Sequence, residues 1–146
     1  MTTIYDRVRH PDSATAARAG AGTSGFAALR GHKYALLVTY RRSGEPVPTP
    51  IWFGLDGEER LYVQTDADAG KVKRLRADPR VLIGPSDGRG KPRGPLAPGT
   101  GRLLEQPGEH EHAEAVLRSS YGLGRRLYER LIGGRTPSTY LEVSAA

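Results

Sequence analysis

Between positions 34 and 65 the chain carries three runs rich in β-branched, aromatic and aliphatic residues. They are Tyr34–Tyr40 (YALLVTY), 45–55 (EPVPTPIWFGL) and 60–65 (RLYVQT), separated by Ser43-Gly44 and Asp56-Gly57. Strand formers bounded by turn residues predict a meander. The middle run holds Pro46, Pro48 and Pro50. Proline has no N–H, so this run predicts an edge strand, or one whose prolines fall at non-bonding positions. The pattern then changes period. Val72 and Leu75, three apart, predict a helix over 69–77, with Asp68 as its N-cap and Asp78-Pro79 as its stop.

Strand patterns return at 80–85 (RVLIGP) and 100–105 (TGRLLE), with a basic glycine-proline loop over 86–95 between them. Two helices follow at 108–121 and 125–132. Ala113, Val116, Leu117 and Tyr121 share a face of the first, and Leu127, Tyr128 and Leu131 a face of the second. A closing strand is predicted over 139–143. Near the start, Thr23 or Ser24 is placed to cap a short helix through Ala27, Ala28 and Leu29, ended by Gly31. Residues 1–22 read as mobile or only locally helical, and 23–146 as a single domain. Six or seven short strands with interspersed helices predict a mainly β (α+β) chain built as a small barrel.

Composition narrows the chemistry. The chain has 146 residues and no cysteine, which excludes disulfides, thiolate metal sites and a cysteine nucleophile. No apolar run approaches the roughly 20 residues of a membrane span. The first twenty residues contain acids and lack an apolar core, unlike a secretory signal. A cytoplasmic location is the expectation. The net charge of +6 favours anionic partners.

The basic residues fall in groups. Lys71, Lys73, Arg74 and Arg76 crowd the start of the 69–77 helix, where cations oppose the helix dipole. Free N–H groups at a helix start, together with cationic side chains, bind phosphate well. Gly70 allows close backbone approach. Gln64 and Thr65, ending the preceding strand, are placed to donate to the same anion. Pro48, Thr49, Pro50, Ile51 and Trp52 form a second group, a stiffened strand offering pre-organised backbone groups to a flat ring. Arg89, Lys91 and Arg93 make a third, read either as a solvated loop or as a flap over an anionic ligand.

Other motifs lack their context. Gly20, Gly22 and Gly25 spell G-x-G-x-x-G, but no strand precedes them. His110 and His112 stand two apart and diverge on a helix, which argues against a metal site. No protein acid, base or nucleophile stands out, so an enzymatic role would place the chemistry on a cofactor.

Several of these segments together resemble a known family. They are Pro48-Thr49-Pro50-Ile51-Trp52-Phe53, Leu61-Tyr62-Val63-Gln64-Thr65, Gly70-Lys71-Val72-Lys73-Arg74-Leu75 and Asp78-Pro79-Arg80-Val81, with Pro85 to Gly90 and Gly94-Pro95 after them. Over roughly residues 25–145 the chain resembles the flavin and deazaflavin oxidoreductases with the pyridoxamine 5'-phosphate oxidase-like split barrel, and most of all their actinobacterial branch that uses coenzyme F420. The resemblance implies a six-stranded split β-barrel with flanking helices, and a homodimer with cofactor sites at its interface. It implies that Lys71 holds the phosphate, with Lys73 and Arg74 near the phosphate or the anionic tail. Gln64 and Thr65 would lie beside the phosphate, and the backbone of 48–51 would flank the ring.

One departure stands out. Members that bind flavin mononucleotide (FMN) often carry Ser-Arg-Lys here, whereas this chain has Ala69-Gly70-Lys71. The implied function is an F420-dependent reductase passing a hydride to a small electrophile such as an enone, a quinone or a tetrapyrrole-like ring. Tyr121 and Tyr128 are candidate proton donors. The alternatives are an FMN-dependent oxidase or flavin reductase of the same fold, and an F420-binding protein without turnover. A nucleic-acid-binding barrel rests on charge alone, because the aromatics do not interleave with the basic runs; no nucleic-acid partner is expected.

Overall fold

The computed structural model describes residues 9–132 and 138–146, with side chains described as far as Ser120 and again from Ser138. Seven strands form one antiparallel sheet: β1 (Tyr34–Tyr40), β2 (Pro46–Trp52), β3 (Gly54–Asp56), β4 (Arg60–Asp66), β5 (Arg80–Ser86), β6 (Ala97–Leu104) and β7 (Ser138–Ala145). Their order is β2-β1-β5-β6-β7-β4-β3. Only Phe53 separates β2 from β3, so the two are one bent strand. Its first half pairs with β1 and its second with β4, at opposite ends of the order. The sheet therefore curls back on itself. Counted this way, six strands make the barrel that the resemblance implies.

Strand alternation fills the interior. Ala35 and Leu37 of β1, Leu61 and Val63 of β4, and Leu141 and Val143 of β7 are all buried in one core. Each buried aliphatic side chain contributes about 1.5–3 kcal/mol, which makes this face the main source of stability. Helix α2 (Gly70–Ala77) inserts Val72 and Leu75 into the same core, as their spacing predicts. Gly101 of β6 permits the approach, because a Cβ there would meet Leu75 Cδ2 at 2.8 Å.

The opposite face of the sheet is covered by two other helices. Helix α1 (Pro11–Ala19) packs Ala17 against Leu36, Val38 and Leu82. It lies within the segment read as mobile or locally helical; residues 1–8 of that segment are outside the described residues. Pro11 sits at its first turn and His10 Nδ1 accepts from Asp12 N–H at 3.1 Å, so a histidine supplies the cap. Helix α3 (Pro107–Ile132) packs Ala113 and Leu117 against Tyr62 and Leu104.

Three local expectations need correction. The helices predicted at 108–121 and 125–132 are one helix. Gly122 and Gly124 weaken a helix by about 1 kcal/mol each but do not by themselves end one. The faces assigned to Tyr121, Leu127, Tyr128 and Leu131 fall outside the described side chains. The segment at 27–29 is a single 3₁₀ turn whose cap position is Phe26, with no side-chain cap from Thr23 or Ser24. Ala69, not Asp68, occupies the cap position of α2, because Ala69 N–H turns back to the Asp66 carbonyl at 3.0 Å.

Polar side chains tie α3 to the sheet. Glu142 of β7 accepts from Arg102 Nε at 3.0 Å and from the Tyr62 hydroxyl at 3.2 Å. Arg102 also pairs with Glu109 at 2.6 Å, and His112 with Asp56 at 2.8 Å. Burial, then the Glu142 carboxylate, raises the Tyr62 phenol above its ordinary range, so the phenol stays protonated as a donor. Among the described residues, no helix is long and apolar enough to cross a membrane.

Candidate functional site

The barrel wall is split where the bent strand leaves β4. Pairing between β3 and β4 runs from Asp56↔Arg60 to Gly54↔Tyr62 and stops there. Beyond it, β2 and the end of β4 remain neighbours with no ladder joining them. Pro46, Pro48 and Pro50 recur every second residue on β2. In an antiparallel ladder such residues direct their backbone groups to one side. Proline cannot donate, so that side is the unpaired one, away from β1. The split is thus lined along β2 by carbonyls with no N–H between them, a surface of acceptors.

Alternation divides the named residues between two faces. On β2, Thr49 and Ile51 lie opposite Leu37 and Ala35 and share the core face, whereas Pro48, Pro50 and Trp52 share the outer face. Ile51 is buried in the core, so its side chain packs and only its backbone is available to a ligand. On β4, Thr65 lies on the core face with Leu61 and Val63. Gln64 lies on the outer face and donates to Ser138 Oγ at 3.1 Å. Gln64 and Thr65 therefore do not point the same way. The core face grows polar toward α2, where Thr39, Thr49 and Thr65 follow Leu37, Ile51 and Val63 on their strands.

Helix α2 brings its cations to that polar end. Its first turn has no side-chain cap. Lys71 and Arg74 are half-buried, while Lys73 and Arg76 face solvent. Burial, then the nearby Arg74 guanidinium, lowers the Lys71 ammonium to about 8, with Asp66 opposing them in part. The Lys71 ammonium makes no hydrogen bond or salt bridge to another described residue. Arg74 runs back along the helix, and its Nε donates to Thr39 Oγ1 at 2.6 Å. Thr39 is buried and was legible only as a strand former, although a polar residue at a core-facing parity of β1 is the signal that marks it.

The other basic group lies elsewhere. The loop carrying Arg89, Lys91 and Arg93 leaves the end of β5 remote from α2 and folds back over the outer face, where a Cβ on Gly90 would meet Leu36 Cδ1 at 3.3 Å and Pro50 Cδ at 3.7 Å. Asp87 organises the loop: its Oδ1 accepts from Arg89 N–H and Lys91 N–H, each at 2.9 Å. Burial works to raise the Asp87 carboxyl, but the Lys91 and Arg89 amides, with Arg93 and His10 nearby, outweigh it and hold it below the usual carboxylate range. Trp52 is also at this end. It meets Tyr34 edge to face with centroids 5.8 Å apart, and Lys33 Nζ sits 4.8 Å from its centroid. A cleft of about 670 Å³ opens there, lined by Leu29, Lys33, Trp52, Phe53, Leu55 and Ser120 among others.

The structure thus gathers Pro48–Ile51, Thr65, Lys71 and Arg74 around the split. It sets Gln64 on the reverse face, Lys73 in solvent and Trp52 at the far end of β2. An uncapped helix start with a desolvated lysine that lacks an ion-pair partner is chemistry for holding a phosphate. A strand of carbonyls beside it is chemistry for holding ring N–H donors.

This barrel, split along one edge, defines the fold class. The model of the pyridoxamine 5'-phosphate oxidase family matches residues 26–135, and the chain belongs to that family. No curated protein matches the chain. Solved structures share the fold at low identity. A putative pyridoxamine 5'-phosphate oxidase from Listeria innocua is 17% identical with a TM-score of 0.57, covering 82% of this chain and 88% of its own. A structure described as an F420 reductase is 20% identical with a TM-score of 0.52, covering 86% and 96%. One described as a domain-swapped dimer is 17% identical with a TM-score of 0.56, covering 77% and 80%.

Proposed function

We propose that this protein is a homodimeric oxidoreductase that binds coenzyme F420 along the split and reduces a small electrophilic organic substrate. One observation carries the reading: a desolvated lysine without an ion-pair partner, at an uncapped helix start, beside an opened strand edge. A charge held in that state costs stability unless an anion joins it. Lys71, with Arg74 and the first-turn N–H groups, holds the phosphate, and Thr65 flanks it. The carbonyls of Pro48 and Pro50 accept from ring N–H groups. Lys73 and Arg76, exposed on the same helix, suit the anionic tail of the deazaflavin. When bound, the reduced deazaflavin supplies a hydride from its ring carbon five. The protein's part is to fix the ring along β2 and to keep water from its face.

The family resemblance and the neighbour described as a domain-swapped dimer support the homodimer. FMN is the second reading, favoured by the family match itself. Titration with F420 and with FMN, followed by fluorescence of Trp52, separates the two. Saturable micromolar binding of the deazaflavin alone supports the reductase. Preference for FMN moves the chain to the oxidase or flavin-reductase reading, and binding of neither overturns both.

A further inference from the structure

Gly70 is the first residue of α2, and the space its missing side chain leaves is filled by Arg74. A Cβ built on Gly70 would meet Arg74 Nη1 at 2.7 Å and Cζ at 3.5 Å. Long helical side chains lean toward the N-terminus, over the residue four positions before them, and Arg74 is four after Gly70. Its Nε is fixed to Thr39 Oγ1 at 2.6 Å, on a strand 35 residues away in sequence. The guanidinium is therefore pinned at its inner nitrogen, and its outer edge lies over the helix start beside Lys71. That the two cations are close shows in the Lys71 ammonium, which Arg74 helps to lower.

Building on the phosphate site proposed above, we infer that Thr39, Gly70 and Arg74 act as one clamp that delivers a guanidinium to the bound phosphate from one turn further down the helix. Arg74 contacts the anion. Thr39 is a positioning residue, and Gly70 keeps the space clear. The guanidinium thus reaches the helix start from four residues further on, with glycine at position 70 leaving it room.

Affinity for inorganic pyrophosphate, FMN and F420 tests the clamp in four variants of the full-length chain. Arg74→Ala should weaken all three ligands at least tenfold. The double variant Gly70→Arg with Arg74→Ala should return affinity to within about threefold of the native protein, since it presents a guanidinium from the vacated position. Gly70→Ala, which keeps Arg74 but crowds it, should lower affinity with the fold intact by circular dichroism. Thr39→Val should lower affinity less than Arg74→Ala does, and it should not change which ligand binds best.

Native-like affinity in Arg74→Ala overturns the clamp, and so does failure of the double variant to recover while it remains folded. Pyrophosphate binding that depends on Arg74, with no binding of either cofactor, supports the clamp and overturns the proposed function. No binding of pyrophosphate or of either cofactor by the native protein overturns both.

Discussion

Two basic groups bracket strand β5 along the chain, one on the helix before it and one on the loop after it. At one end, Lys71 and Arg74 are half-buried at a helix start and raise each other's cost. At the other, Arg89, Lys91 and Arg93 are exposed on a loop organised by the Asp87 carboxylate. Counted by charge, the loop is the larger group, three cations against two. The difference lies in water and in counter-charge. The loop's side chains face solvent, and Arg93 lies 4.0 Å from the Asp87 carboxylate. At the helix start, Asp66 only partly offsets the desolvation of the Lys71 ammonium. Desolvation, not the number of cations, separates a site from a surface.

The largest test of this contrast is Lys71→Met. Loss of a charge-assisted hydrogen bond should cost about 1–3 kcal/mol of cofactor affinity, read by titration. The same variant should stabilise the ligand-free protein. An unfolded lysine keeps its proton to about pH 10.5, while the folded one releases it at about 8. The folded state's penalty is therefore fully present below pH 8 and is relieved as pH rises toward 10.5. At pH 7 the variant should gain up to about 3 kcal/mol, with the gain shrinking above pH 8 in chemical denaturation. An unchanged or lower stability would make Lys71 an ordinary structural lysine. Cofactor affinity of the native protein should fall as pH rises above 8, because binding then requires proton uptake.

Gly101→Val comes next. It pushes Leu75, and with it α2, away from β6, and overpacking of this kind costs about 1–3 kcal/mol. Because α2 carries both cations, affinity should fall along with stability. If stability falls and affinity holds, the helix is not what places the anion.

At the loop, Asp87→Ala should cost about 1–2 kcal/mol of stability through its two lost amide bonds and leave cofactor affinity in place. Its folded carboxyl is depressed, so its contribution is present above the unfolded value near 4 and is lost as pH falls through the folded value. Thermal unfolding between pH 7 and pH 2 should show the two proteins converging at the acid end. The smallest effect belongs to the triple alanine variant at Arg89, Lys91 and Arg93, which should change cofactor affinity less than twofold. A larger loss would bring the loop of a partner subunit to the anion.

Much of the frame was legible because its signals are local. Three prolines two residues apart mark an edge, and Val72 and Leu75 three apart mark a buried helix face. What escaped depends on contacts distant in sequence. Arg74 reads as one more cation until Thr39, far upstream, is seen to fix its Nε. Gly70 reads as backbone freedom until the space over it proves to be occupied. Gln64 and Thr65 were grouped by adjacency, yet adjacency on a strand sends side chains to opposite faces. The two helices predicted at 108–121 and 125–132 proved to be one, since glycine ends a helix only when the backbone turns left-handed there.

The prolines of β2 also bear on what this edge refuses. An open strand edge in a curled sheet is a template on which another chain can lay a strand, the first step toward runaway aggregation. Strand addition needs donors as well as acceptors, and Pro46, Pro48 and Pro50 remove the donors from the exposed side. The edge can stay open for a small ring and still turn away a polypeptide. Replacing all three prolines with valine would restore the donors, and a protein that then forms fibrils would show what the opening had been protected against.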